Sequence, residues 1–285
     1  MLALWQLEFM RHAVLAGVLC AICFAVLGSL VVVNRLVFIV GGISHAAYGG
    51  IGLAFACGLG AGLGPLLGAT VFTVLMALIM AALAMRHQQR LDTIIGVLWA
   101  FGMALGIVLI ELQPGYSVNL LSYLFGSIVA VGVTDLWLMG SLTLFVLVAV
   151  SLLYRWLLAM SFDAEFASIR GLPTKTLYTG LLVLIAIAVV LFINVVGLLL
   201  VIALMTIAPY IAERWTRSLR AMMVLAALCN TAFVLSGLAL SYQLKLSAGP
   251  AIILVATLAF FLSYAAEWLV TQRRQSASPL PHPKA

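Results

Sequence analysis

Charge is what this chain has least of: Asp, Glu, Lys and Arg make up 8% of its 285 residues, against 66% hydrophobic residues and a mean hydropathy of +1.27. Soluble globular domains carry roughly a quarter charged residues, so that class is excluded. Cysteine is scarce too, with 4 residues, and neither these nor His12, His87 and His282 complete the spacing of a structural zinc site. Cys20 and Cys23 form a CxxC, but in the middle of an apolar run, where thiols act as small apolar side chains. There is no Walker A sequence: the nearest stretch, Gly171 to Thr176, lacks the spacing and the second glycine, so any ATP is bound by another chain. No composition shift marks a second domain.

What the chain does have is a succession of apolar runs, each long enough to cross a hydrocarbon core of about 30 Å. They lie near residues 12–33, 37–60, 65–84, 93–112, 135–158, 176–193, 195–212, 220–240 and 249–270. The fold class expected is therefore all-α and polytopic, with nine transmembrane helices; eight is the alternative if the closely spaced runs 176–193 and 195–212 are misdivided. Residues 119–131 read as a short extra helix too brief to cross. The first run is about a full span and is followed by many others, which distinguishes it from a removable signal peptide. One transmembrane domain over 1–274 is expected, with a polar, Pro-rich, disordered tail over 275–285.

The basic residues orient the chain. With the N-terminus outside, all but Arg11 and Lys245 of the 14 Lys and Arg fall on the cytoplasmic side, the bias that fixes membrane topology. This topological cause accounts for the net charge of +6 without a nucleic-acid partner.

Small residues mark helix contacts. Gly58, Gly60, Gly62, Gly64 and Gly68 give overlapping GxxxG spacings, though part of the Gly58 to Gly64 run must be the turn between two spans; Gly102 and Gly106 give another, and Ala46 and Gly50 a small-xxx-small pair. In GGISHAAYGGIGLAF, His45, Gly49, Gly52 and Ala56 fall along one helical stripe, so His45 overlooks a face flattened by glycine and alanine. An ionisable residue inside a membrane faces a cavity or a partner. Two readings stay open: a neutral histidine that hydrogen-bonds Ser44, Tyr48 or a neighbouring helix purely to pack, or a transient metal ligand lining a pathway, since neutral imidazole suits zinc and other first-row metals. Glu111 and Asp135 lie near the outer ends of their spans, either as snorkelling carboxylates or as a cation-attracting vestibule. Thr206 and Pro209, in ALMTIAPYIAE, predict a break in the seventh span.

The one long polar interruption in the middle of the chain is SFDAEFASIRGLPTKT, 161–176. Asp163 reads as an N-cap, Phe166 and Ile169 share one face, and Gly171 followed by Pro173 reads as a stop. A helix of about two turns needs a surface to lie on. That surface is either the lipid headgroups or a soluble subunit.

With VVVNRLVFIVGGISHAAYGGIGLAF (31–55), DTIIGVLWAFGMALGIV (92–108), YLFGSIVAV (123–131), SFDAEFASIRGLP (161–173) and VVGLLLVIALMTIAP (195–209), nearly the whole chain resembles the permease subunits of bacterial ABC importers for zinc, manganese or iron. The resemblance implies an inner-membrane homodimer with its pathway at the two-fold interface. It also implies a separate dimer of ATPase subunits gripping the cytoplasmic helix, and a periplasmic metal-binding protein delivering the ion. No cofactor is held permanently: the metal is cargo and ATP belongs to the partner. On this resemblance Asp163, Glu165, Phe166, Ile169, Arg170 and Gly171 belong to the coupling segment, Ser44 and His45 to the pore-side helix, and Gly49, Gly52, Thr206 and Pro209 to pathway or packing.

The chain departs from the family pattern in ways that bear on the metal. Gly41 and Gly49 stand where many members carry an aspartate four residues before the histidine and a proline four after it. Where relatives often have TIPAA, this chain has Thr206, Ile207, Ala208, Pro209 and Tyr210, and Ser127 replaces a common Asn or Asp. Fewer hard oxygen ligands tilt the reading from manganese towards zinc. A secondary, ion-coupled transporter is the alternative class, but it would bury several charges near the midplane or show inverted repeats. An intramembrane enzyme fits worse, because Ser44 and His45 point about 100° apart on a helix.

Overall fold

A computed structural model describes residues 8–60, 62–85, 91–113, 126, 128 and 131–276. Among the described residues the structure is helical and has no strand. In chain order the helices are α1 (Glu8–Val33), α2 (Val37–Ala56), α3 (Gly64–Ala84), α4 (Leu91–Glu111), α5 (Val133–Phe162), α6 (Ala164–Ile169), α7 (Thr174–Val196), α8 (Leu198–Trp215), α9 (Leu219–Leu244) and α10 (Ala248–Ser276). All but α6 are long and apolar enough to cross a membrane, which gives nine candidate spans among the described residues. The count of eight fails at Gly197. Its φ of 85° and ψ of 155° lie in a region open to glycine alone, so α7 and α8 are separate helices. The extra helix expected over 119–131 falls largely outside the described residues. At the other end α10 continues to Ser276, two residues into the segment expected to be tail.

The helices form two clusters. In one, α2 lies against α3 and α4, with α7 behind α3; in the other, α1 packs on α8, α9 and α5, and α10 covers α8 and α9. Although α1 and α2 are consecutive, they make little contact along their lengths. They meet at a Schellman turn: Arg35, in the left-handed region at φ 57°, lets Leu36 N–H reach Val31 O at 2.8 Å and Arg35 N–H reach Val32 O at 3.0 Å. Leu36, 3% exposed, plugs the corner.

Glycine decides how closely α2 can be held. A Cβ on Gly52 would stand 2.7 Å from Gly106 O, one on Gly102 2.9 Å from Ala46 Cα, and one on Gly106 would strike the Tyr48 carbonyl. On the opposite flank Gly50 and Gly68 meet backbone to backbone. Lipid tails give no hydrophobic drive for one helix to leave them for another, so this close van der Waals contact is what holds the cluster. The Gly102/Gly106 spacing and Gly68 thus act as the sequence suggested, and so do Gly58 and Gly62, which at φ 76° and 62° shape the α2–α3 turn.

The break expected at Pro209 is absent: α8 runs unbroken from Leu198 to Trp215 with the proline inside it. Proline leaves the Met205 carbonyl without its helical partner. That carbonyl and the proline ring are accommodated over Gly28 of α1, where a Cβ would come within 2.8 Å of Pro209 Cγ. Thr206 Oγ1 donates to Ile202 O at 2.8 Å, and neighbouring packing keeps the helix whole.

Gly106→Leu is expected to destabilise the protein by about 1–3 kcal/mol, the cost of overpacking a filled contact. Gly180→Leu is the control. Gly180 opens onto an apolar groove of about 470 Å³ between α5 and α7, with no atom within 4 Å of its Cβ position. Melting of the detergent-solubilised proteins should drop for the first and stay near wild type for the second.

Candidate pathway and docking sites

His45 stands near the middle of α2 and is 8% exposed. Its ring lies flat on Trp99 of α4, with centroids 4.2 Å apart and planes 19° from parallel. Nδ1 is buried and has no hydrogen-bond partner. A buried polar atom left unpaired is costly, so such a nitrogen marks a position where a partner outside the chain would be worth binding. Ser44 does not supply that partner, since its hydroxyl donates to Val40 O at 2.8 Å.

The stripe beneath His45 packs against neighbouring helices. Gly49 is covered by Phe72 of α3 and by Gly102 O, at 2.6 and 2.9 Å from its Cβ position, and Gly52 by Gly106. Within one chain the flattened face is a helix contact filled by α4. Its glycines serve packing, and His45 with Trp99 is what remains of the polar feature. Trp99 was missed because its role depends on α4 lying beside α2, which no local spacing reveals.

Glu111 and Asp135 are not drawn into a ligand cluster. Glu111 closes α4 at the surface, while Asp135 Oδ2 accepts from Gly132 N at 3.0 Å and so caps α5. Residues 114–125 between them lie outside the described residues. Among the described residues no three or more His, Cys, Asp or Glu side chains gather as a metal site. Cys20 and Cys23 are fully buried in α1, in keeping with packing.

Thr206 lines an open cavity of about 790 Å³ with Tyr210, Glu213, Arg35 and Asp92. Beside it α8 is stapled to α10: Arg214 pairs with Glu267 at 2.8 Å and lies over the Tyr210 and Tyr264 rings at 5.4 and 5.0 Å. Trp215 Nε1 donates to Ser263 Oγ at 2.9 Å.

The polar interruption folds as its residues suggested. Asp163 adopts extended backbone, and its carboxylate accepts from Phe166 N at 2.9 Å, capping α6. Gly171, at φ 81°, ends the helix, with Leu172 N–H bonded to Ala167 O at 3.1 Å and Gly171 N–H to Ser168 O at 3.0 Å. Ala167 is buried, whereas Phe166 and Ile169 are 54% and 79% exposed. The Arg170 guanidinium sits 4.9 Å above the Phe166 ring. Glu165 turns the other way, into a cavity of about 390 Å³ shared with Lys175, Tyr178 and Asn34. A six-residue helix capped at both ends that turns two large apolar side chains outward offers them to something outside the chain.

Nine apolar spans among the described residues, glycine-clamped helices and one short capped helix define an all-helical, polytopic membrane protein. More particularly, the chain belongs to the ABC 3 transport family, which matches residues 6–267. It is 46% identical over 260 residues to an uncharacterized membrane protein of Synechocystis sp., covering 91% of each chain. It is 31% identical over 257 residues to the manganese transport system membrane protein MntC of Halalkalibacterium halodurans, covering 90% of this chain and 87% of that one. Among solved structures it resembles a chain of PsaBC from Streptococcus pneumoniae, determined in complex with Fab. The TM-score is 0.81 at 28% identity, over 93% of this chain and 95% of that chain.

Proposed function

We propose that this chain is the permease subunit of an importer that moves a divalent metal ion from periplasm to cytoplasm across a bacterial inner membrane, driven by a separate ATPase. The observation that carries this reading is α6, with Phe166 and Ile169 exposed on a rigidly capped helix. Such a helix suits the apolar groove of a soluble subunit, and the chain itself has no Walker A sequence with which to bind ATP. The basic residues support a periplasmic N-terminus and a cytoplasmic α6 and C-terminus.

The metal reading rests on the relatives and on His45. A manganese transport protein among the relatives supports a divalent cargo. The sequence's shortage of carboxylate ligands near His45 favours zinc over manganese or iron. His45 carries a buried nitrogen without a partner in mid-span and serves as a transient ligand, while Glu111 and Asp135, at the outer ends of their helices, attract the cation to an outer vestibule. A second copy of the chain forms the pathway with the first. Gly96, Ala100 and Ala104, four apart on the exposed face of α4, suit a close approach of that copy. A periplasmic metal-binding protein delivers the ion, and lipid surrounds the dimer.

Two substitutions test the reading. Phe166→Asp with Ile169→Asp is expected to reduce metal-stimulated ATP hydrolysis by the complex to the unstimulated level, while the permease still runs as a folded species on size exclusion; normal stimulation would remove α6 from coupling. His45→Gln keeps a hydrogen-bonding side chain of similar reach but is a poor ligand. Uptake of radioactive zinc and manganese into vesicles holding the whole complex should fall at least about ten-fold, the factor for roughly 1.4 kcal/mol of lost binding. Wild-type uptake of both ions would assign His45 to packing alone.

A further inference from the structure

Ser161, in the last turn of α5 just ahead of the docking helix, is tied to the far end of α1. Its hydroxyl accepts a hydrogen bond from Asn34 Nδ2 at 2.9 Å and donates to Leu157 O at 2.8 Å. Asn34 Nδ2 also donates to Leu30 O at 2.7 Å, so the amide is braced on both sides. Asn34 opens the turn between α1 and α2, and that turn has little slack: the left-handed Arg35 and the bonds from Leu36 N–H to Val31 O and from Arg35 N–H to Val32 O fix its shape. α2, the helix that carries His45, starts at the next residue after Leu36. The same corner borders the docking helix directly, because Asn34 lines one cavity with Met160, Ala164 and Glu165.

We propose that Asn34 is a positioning residue for transport: its hydrogen bond to Ser161 passes a displacement of the docking helix to the α1–α2 corner, and through that corner to α2 and His45. The proposal rests on the reading of α6 as the ATPase docking helix. Coupling between separated sites travels through packed elements and hydrogen bonds with little freedom of their own. Here that path is one half-buried side-chain bond followed by a three-residue turn. α1 and α2 touch little elsewhere, so motion at the corner is not averaged away along the length of α1.

The test assembles wild type, Ser161→Ala, Ser161→Thr, Asn34→Ala and the Asn34→Ala/Ser161→Ala double variant with the ATPase and the binding protein in vesicles. Zinc or manganese ions moved per ATP hydrolysed are measured beside the metal-stimulated ATPase rate. Loss of one hydrogen bond weighs about five-fold in an equilibrium. Ions per ATP should therefore fall about five-fold in Ser161→Ala and in Asn34→Ala, fall no further in the double variant, and stay at wild type in Ser161→Thr, which keeps the hydroxyl. Stimulated ATP hydrolysis should persist throughout. An unchanged ratio in Ser161→Ala overturns the proposal, as does a double variant whose loss is the product of the two singles. Ser161→Ala removes only a hydroxyl from a helix and decides the matter even where Asn34→Ala fails to fold. The docking reading fails on different evidence, namely retained ATPase stimulation in the Phe166/Ile169 double-Asp variant. If that variant loses stimulation while Ser161→Ala keeps the wild-type ratio, the docking helix stands and the Asn34 link does not.

Discussion

The contact on which the rest depends is glycine against backbone on both flanks of α2. In a bilayer there is no hydrophobic gain in bringing one apolar helix to another, so the cluster is held by how closely the backbones can approach. Gly50 against Gly68 and Gly52 against Gly106 remove every side chain from the two contacts. Three consequences follow: α2 has one fixed rotation, His45 is forced onto Trp99, and a nitrogen is left buried without a partner in mid-span. A looser packing would let His45 turn towards some acceptor within the chain, and the polar feature would disappear.

The same economy governs the other end of the α2 corner. α6 is too short to hold itself together by helix propensity, so its form comes from its caps: the Asp163 carboxylate on Phe166 N–H and the left-handed Gly171. With its conformation set from outside its own turn, α6 can spend Phe166 and Ile169 on the exterior. A rigid knob is suited to transmit force in a way that a floppy loop is not. A single extended residue, Asp163, joins it to α5, whose last turn carries Ser161.

Much of this could be read in the residues. Each span was legible because about 20 apolar residues in a row have few other fates, and α6 because Asp163 and Gly171 are local signals with local causes. Partnership between helices was not legible. Trp99 gained meaning only once α4 lay beside α2, and the Asn34 to Ser161 bond joins residues 127 apart in sequence. Pro209 shows the converse error. The local rule, that proline interrupts a helix, was overridden by Gly28, a residue on another helix that makes room for the freed carbonyl. The small-residue stripe of α2 was seen correctly as flat, but flatness alone does not say whether a face is filled by a neighbouring helix or left open to a pathway.

The most direct measurement of the whole account is uptake of radioactive zinc and manganese into vesicles containing this chain with the ATPase and binding protein proposed for it. ATP, a non-hydrolysable ATP analogue or a proton gradient would be supplied in separate arms. The account predicts accumulation with ATP alone, and none when the ATPase is left out. Uptake by the permease without the ATPase, driven by the gradient, would contradict it and make the chain a secondary transporter.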